Sequence, residues 1–599
     1  MTESFDIVSL QAGYQREQFS VEDVMGEVQA RCDEAPETIW IHRCSSSSIE
    51  KRVADLVAMK RSGATLPLYG IPFAIKDNID LAGIPTSAGC PDFAYTPSVS
   101  STVVDRLCRA GAIPIGKTNL DQFATGLVGV RSPFGVPGNA FDPAFIPGGS
   151  SSGSAVAVAL SLVSFALGTD TAGSGRVPAA LNNLVGYKPT RGLLSNAGVV
   201  PACRTLDCVS IFSFTAHDAD IVRGVAAGQD SRDPFSRPPG TAPGLPGRLR
   251  VAVPREEDLE FFGNRGAKQC FEEACDSMKA LGAFLVPIDF GPFEEVARLL
   301  YEGPWIAERY AAIREFLESD PEIHPVTAGI IGQGMKPSAA DAFEAFYRLE
   351  SLRQEVGHLW NLCHCLITPT VGTTYRISEV ENDPIQLNSN LGHYTNFMNL
   401  LDMAAVAVPA GRMDHDQPFG VTLSAPGFSD LPLLELADDF HSASGLNLGR
   451  TEFPVAAAQR LQKTDGPVSS CHLAVCGAHL RDLPLHFQLK EIGAEWVEKT
   501  VTAPEYRLFC LPKSEPLKPG LLRVEKGGQA IEVEVYRLSP EAFGRFVAAI
   551  PEPLGIGKIK MENGEFVSGF LCESWALEGA EDVTRYGGWR AYLGSLEPS

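Results

Sequence analysis

The sequence predicts an α/β unit followed by a smaller, β-rich α+β unit, and three observations carry that reading. From Tyr69 onward, short apolar runs such as IPFAI and AIPIG, set off by Gly and Pro, alternate with segments of helical periodicity. That is the pattern of strands layered against helices. Beyond about Cys471 the texture changes: IEVEVYRL alternates with period two, and KIKMENGEFVSGFL sets Asn563-Gly564 between two alternating runs, a strong hairpin signal. The chain has 599 residues, more than one ordinary hydrophobic core accommodates, so a large unit and a small one are expected.

Residues 1–64 read as a helical lead-in. Ser20 precedes Glu22 and Asp23, and Val21, Val24, Met25 and Val28 recur at helical spacing toward Cys32. A second helix is expected from about Ser48 to Arg61, with the serine run Ser45–Ser48 as its cap. The main unit spans 65–452. Within it the apolar run Ala155–Leu167 reads as one buried helix, too short to cross a bilayer. Asp230–Pro246, rich in Pro and Gly, reads as a long surface excursion. RLRVAVP is a strand, Glu256–Leu281 and Phe293–Leu317 are helical, and CLITPTV is a further strand. Residues 453–470 have linker composition, and 471–599 form the second unit.

Composition narrows the function. Hydrophobic residues make up 44% and charged residues 21% of a chain whose formal net charge is −23, a balance that suits a folded protein in water and disfavours sequence-independent binding to nucleic acid or an anionic membrane. Met1–Tyr14 has neither a basic nor an apolar leader segment, and a cytoplasmic location is expected. Fourteen cysteines spread through a long chain then read as reduced thiols. The pairs Cys203/Cys208, Cys270/Cys275 and Cys471/Cys476, and His364 between Cys363 and Cys365, lack a second pair at zinc-ribbon spacing, so no metal site is expected.

Three segments carry chemistry: IPFAIKDNID around Lys76, PGGSSSGSA around Ser150, and LGTDTAGSGRVPAA around Ser174. In the third, Ala172 and Gly173 let the backbone turn so that successive N–H groups face one point, where they stabilise an oxyanion. A serine nucleophile needs a base. Lys76 follows an apolar run, and burial lowers a lysine's pKa toward the neutral amine, with a second serine to carry the proton. The residues alone also allow Lys76 to be a strand-end lysine in water and the Gly/Ser loop to be a turn or a phosphate cradle. Gly149–Gly153 also fits G-x-S-x-G with Ser151 as nucleophile, but Pro143 and Pro147 stand where that motif needs a strand.

These segments resemble the amidase signature family over about Leu66–Phe214. GIPFAIKD matches its lysine strand, GGSSSG its GGSSGG loop, and GTDTAGSGR its GTDxGGSxR loop; GKTNLDQFATG and VGYKPTRG are also similar. The resemblance implies a mixed β-sheet core surrounded by helices. It further implies amide hydrolysis without metal or organic cofactor, by a triad of Lys76, Ser150 in a cis peptide, and the nucleophile Ser174. Thr171, Ala172, Gly173 and Ser174 would supply oxyanion-hole amides. Ser152 and Ala172 replace family glycines, and Gly175 replaces a common larger apolar residue, departures that point to a subfamily.

Within the family, GLVGVRSPFG, YEGPWIAERYAA and LNSNLGHYTNFMNLLD resemble the allophanate hydrolase branch. That branch implies a small anionic substrate, allophanate, held by Arg309 with Tyr301, and close backbone approach at Gly126. Arg309 has Trp305, Ile306, Ala312 and Ile313 at i±3 and i±4, none of them acidic; its head can meet a substrate or snorkel to water. The tail resembles that branch's C-terminal domain, similar in fold to γ-glutamylcyclotransferases, with a role in decarboxylating the first product. His479 in CGAHLRDLPL is its candidate, against a structural histidine; no role is transferred to His486. The resemblance further implies a homodimer and a functional partnership with a urea carboxylase. A general small-amide amidase with an oligomerisation tail is the competing reading.

Overall fold

The computed structural model describes residues 4–240, 249–455, 471–512, 517–538 and 540–596. The chain divides into two compact units, residues 1–461 and 462–599. Most of the expected linker, 456–470, lies outside the described residues, as does the end of the expected surface excursion, 241–248.

The first unit is built on an 11-stranded mixed sheet. Its strands are β1 (Trp40–Arg43), β2 (Pro72–Lys76), β3 (Ile113–Thr118), β4 (Phe165–Asp170), β5 (Val185–Lys188), β6 (Cys208–Ser213), β7 (Arg250–Pro254), β8 (Phe284–Ile288), β9 (Cys365–Pro369), β10 (Met403–Met413) and β11 (Gln417–Pro426). They lie in the order β1-β3-β2-β4-β6-β5-β10-β11-β9-β7-β8. β2 runs parallel to both β3 and β4, so the C-terminal ends of all three open on one edge. β2 and β4 are buried along their whole length, as parallel strands covered on both faces must be.

The lead-in helices form as the capping chemistry predicts. Ser20 and Asp23 make a reciprocal capping box on Val21–Glu34, and the Ser45 side chain accepts the Ser48 N–H at the start of Ser46–Arg61. Three segments differ from the sequence reading. Ala155–Leu167 is two elements, the end of helix Ser152–Ala159 and the start of β4, separated where Ser161 turns with φ 55°; apolar continuity cannot tell a buried helix from a buried strand. The helix expected from Glu256 starts at Arg265, capped by Asn264 after Gly263 at φ 82°. Phe293–Leu317 is broken into Gly291–Glu302 and Trp305–Leu317, because Pro304 has no N–H to continue the first helix. Part of the expected excursion is tied down: Asp233 is buried and its carboxylate accepts the N–H groups of Asn196 and Phe235.

The second unit has a five-stranded sheet in the order Glu495–Val501, Glu532–Leu538, Cys471–Val475, Phe566–Cys572, Leu554–Lys560, and a three-stranded sheet of Pro519–Arg523, Tyr506–Cys510 and Glu581–Asp582. The expected hairpin is Leu554–Lys560 with Phe566–Cys572, in register from Leu554↔Cys572 to Lys560↔Phe566.

Candidate active site

The C-terminal end of β2 delivers Lys76 into the interior, where its amine is fully buried. Its Nζ donates to Ser150 Oγ at 2.8 Å and to Thr169 Oγ1 at 2.7 Å, and no carboxylate among the described residues lies within ion-pair distance. Burial therefore dominates, pushing the amine down to about 7 against the more distant pull of Asp121, Asp207 and Asp170, with Arg309 adding to the depression. Lys117 on β3 is equally buried but forms an ion pair with Asp77 at 3.0 Å. Ser150 sits at the head of helix Ser152–Ala159, and the Gly149–Ser150 peptide is cis, as the resemblance implies.

β4 ends at Asp170 and hands the chain to the loop carrying Ser174. Asp170 anchors that loop: its Oδ1 and Oδ2 take the Arg176 guanidinium at 2.9 Å each, and the same two oxygens accept Gly173 N–H at 2.9 Å and Gly175 N–H at 3.1 Å. Burial alone would raise this acid, but Arg176 and the amide donors outweigh it and hold Asp170 below its ordinary value. Arg176 reaches on to Thr395 O and Asn399 Oδ1, and Asn399 Nδ2 returns to Asp170 O at 2.8 Å. Gly173 has φ +132°, and a Cβ there would lie 2.4 Å from Thr395 Oγ1, so glycine is required on both counts.

Ser174 is 3% exposed and its hydroxyl makes no hydrogen bond among the described residues. The structure thus joins Lys76 to Ser150 directly, while Ser174 lies in the adjoining loop unbonded. The Gly173 N–H, expected in the oxyanion hole, is occupied by Asp170. Thr171, Ala172 and Ser174 retain N–H groups that donate to no acceptor among the described residues. Ser151 is excluded as an elbow nucleophile: its hydroxyl is fixed to Thr169 O at 3.2 Å and no strand precedes it.

Arg309, on helix Trp305–Leu317, is 4% exposed. Nη1 donates to Thr125 Oγ1 at 3.2 Å and weakly to Ala124 O at 3.4 Å, and the guanidinium carbon lies 5.9 Å from the centroid of the Tyr301 ring. No carboxylate among the described residues pairs with it within 4.0 Å. It is a buried cation and does not snorkel to water. Gly126 has φ +153°, and a Cβ there would meet Asp121 Oδ2 at 2.7 Å and Arg131 Nη1 at 3.1 Å, so glycine there is required by the residues behind it. Asp207 accepts from Thr171 Oγ1 at 2.5 Å and from Ala202 N–H at 2.9 Å, and burial pushes it up to about 6.

In the second unit His479 Nε2 lies 2.9 Å from Gln488 Oε1, and its ring stacks on Phe570 at 5.3 Å. Burial lowers its pKa. His479, Gln488, Lys518, Arg545 and Phe546 line a cavity of about 510 Å³. His486 faces Tyr536, its Nε2 3.3 Å from the phenol oxygen. Among the described residues no disulfide joins the cysteines, and no group of three or more His, Cys, Asp or Glu side chains is gathered to hold a metal.

Sequence reasoning missed Thr169, Asp170, Arg176, Asp207 and Asn399. Asp170 and Arg176 stand inside GTDTAGSGR, and their signal was available; Asn399 is 223 residues from Arg176, and nothing local marks it.

The amidase family model matches residues 23–434, and the allophanate hydrolase C-terminal domain model matches residues 471–594. Urea amidolyase of Saccharomyces cerevisiae is 44% identical over 575 residues, covering 93% of this chain and 31% of that protein. The chain thus spans about a third of the length of the urea amidolyases it matches. The solved allophanate hydrolase of Kluyveromyces lactis superposes with a TM-score of 0.76 at 41% identity, covering 98% of each chain. A glutamyl-tRNA(Gln) amidotransferase subunit of Symbiobacterium thermophilum is 33% identical, covering 66% of this chain and 87% of that protein.

Proposed function

The chain belongs to the amidase family, and from that premise we propose that it hydrolyses the terminal amide of allophanate to N-carboxycarbamate and ammonia. The supporting observation is a buried arginine with no carboxylate partner, Arg309, close enough to the buried amine of Lys76 to act on it electrostatically. A site of that kind suits a small substrate with an amide at one end and a carboxylate at the other. The amidotransferase relative covers 66% of the chain, whereas residues 471–594 match the allophanate hydrolase C-terminal domain.

In this mechanism Ser174 Oγ attacks the amide carbonyl as its proton passes to Ser150, whose own proton moves to neutral Lys76 across the 2.8 Å contact. The N–H groups of Thr171, Ala172 and Ser174 stabilise the oxyanion. Lys76, through Ser150, returns the proton to the leaving nitrogen, and the C–N bond breaks to release ammonia. Water then attacks the acyl-enzyme, its proton taken by the same relay; the bond between the acyl carbon and Ser174 Oγ breaks, the relay returns the proton to Oγ, and N-carboxycarbamate leaves. No step calls on a metal or cofactor. The cavity around His479 is the proposed site for assisting decarboxylation of that product. A urea carboxylase supplying the substrate, a homodimeric assembly and a cytoplasmic setting complete the proposal.

Arg309→Ala should reduce kcat/KM for allophanate far more than for a neutral amide. Equal losses on both would sink the substrate assignment, and measurable amide turnover by a clean Ser174→Ala preparation would sink the nucleophile.

A further inference from the structure

Arg309 is not the only buried guanidinium here. Arg131, in the GVRSPFG segment, is 1% exposed and pairs with no carboxylate within 4.0 Å among the described residues. Its Nη1 donates to Thr125 O at 3.0 Å and its Nη2 to Pro384 O at 2.6 Å, while its Nε is buried with no acceptor. The nearby acid, Asp121, is engaged by backbone, accepting the N–H groups of Gly129 and Arg131 itself at 2.9 Å each.

Thr125 joins the two arginines. Arg131 holds its carbonyl, and Arg309 Nη1 donates to its hydroxyl. The backbone on either side is constrained: Phe123 and Ala124 both have φ 52°, Gly126 has φ +153°, and the space a Cβ on Gly126 would need is taken by the Asp121 carboxylate at 2.7 Å, with Arg131 Nη1 beside it at 3.1 Å. Two consecutive non-glycine residues in the left-handed region persist only where surrounding contacts fix them. Leu127 N–H donates to Asn388 Oδ1 at 2.8 Å and fixes the far side.

Resting on the reading of Arg309 as the carboxylate site, we infer that Arg131 is a positioning residue for substrate charge: through Thr125 it sets the Arg309 guanidinium. It also adds a second buried cation that has no carboxylate partner. Two guanidinium groups that share one loop repel each other, and the repulsion is relieved when an anion enters. Burial lowers the Arg131 pKa; the pull of Asp121 and Tyr301 offsets part of that, and Arg309 adds a smaller depression in the direction such repulsion requires. Selectivity for an anionic over a neutral amide then belongs to the pair of arginines.

The test uses full-length Arg131→Met, Arg131→Lys and Thr125→Val, with Arg309→Ala as reference, on malonamate and on its near-isosteric neutral analogue malonamide. Arg131→Met is expected to lose kcat/KM on malonamate about tenfold more than on malonamide, mainly through KM, as a mispositioned binding group does. Arg131→Lys keeps the charge without the two-pronged reach and should recover part of that loss. Thr125→Val removes the hydroxyl link alone and should show the same selectivity change in smaller measure. Equal losses on the two amides in the Arg131 and Thr125 variants, with Arg309→Ala still selective, overturn the inference and leave the Arg309 reading standing. If Arg309→Ala is also unselective, both fall. Should Arg131→Met fail to fold, Arg131→Lys and Thr125→Val decide by the same criterion.

Discussion

The most direct consequence of a lysine base concerns pH. An ordinary lysine, at 10.5, is neutral in only about one molecule in three thousand at pH 7; Lys76, pushed down to about 7 by burial, is neutral in about half. In the proposed mechanism the base is the neutral amine, so activity should rise as pH rises through that value. The neutral fraction grows from about one-tenth at pH 6 to about nine-tenths at pH 8, and kcat/KM for a neutral amide should climb about tenfold across that interval and then level off. An anionic substrate adds a second effect. Arg309 helps to depress Lys76, and a carboxylate seated on Arg309 offsets that repulsion, raising the Lys76 pKa in the complex. For malonamate, the rising limb of kcat should therefore lie at higher pH than the limb of kcat/KM; for malonamide the two should coincide. Asp207, pushed up to about 6, titrates close by, so the profile is also measured in Asp207→Asn. The assay is ammonia release between pH 5.5 and 9 (an experimental range of about 3.5 pH units). A flat kcat/KM profile from pH 6 to 8, or a limb that vanishes in Asp207→Asn, would refute Lys76 as the titrating base.

Two further perturbations test how the loop carrying Ser174 is held. Asp170→Asn removes the carboxylate that binds Arg176 and the Gly173 and Gly175 amides, leaving a buried guanidinium uncompensated; a loss of about 3–5 kcal/mol in stability is expected, and an unchanged melting midpoint would show that the network does not support the loop. Gly173→Ala forces a Cβ to 2.4 Å from Thr395 Oγ1 at φ +132°. It should lower kcat while leaving the sheet intact by circular dichroism, and Thr395→Ala should restore little of the loss because the backbone cost of about 1–2 kcal/mol remains; full rescue would show that packing alone demands glycine.

What the sequence made legible is local. Ser20 with Asp23, and Ser45 with Ser48, specify helix starts through contacts three residues apart, and Asn563-Gly564 specifies its hairpin in the same way. The three motif loops place Lys76, Ser150 and Ser174 because each motif carries its own turn chemistry. What stayed hidden is either degenerate or distant. Ala155–Leu167 is apolar throughout, and only the turn at Ser161 divides helix from strand. Arg309 could be read as surface or buried until Thr125, 184 residues away, was seen to receive it. The spent amide of Gly173 was equally invisible, because a glycine in an oxyanion loop and a glycine bonded to its own upstream aspartate read alike.

The sharpest case is the dipeptide Lys76-Asp77, which on paper is an ion pair waiting to form. Strand geometry forbids it. Consecutive residues of a strand point to opposite faces of the sheet, and in the parallel pairing of β2 with β3 Ile75 is matched with Lys117 and Lys76 with Thr118. Lys117 therefore shares a face with Ile75, and Asp77, in the turn just past the end of β2 with its N–H still donated to Thr118 O at 3.1 Å, meets Lys117 at 3.0 Å. Lys76 is turned to the other side, where it finds the hydroxyls of Ser150 and Thr169. Were the register of β2 and β3 shifted by one residue, Lys76 would gain a face shared with Lys117 and Lys117 would lose Asp77. Period-two alternation thus separates a lysine from the aspartate next to it, supplies that aspartate to a second lysine that stays in an ion pair, and leaves the first to be governed by burial. The base of the proposed mechanism is made by the sheet as much as by the residue.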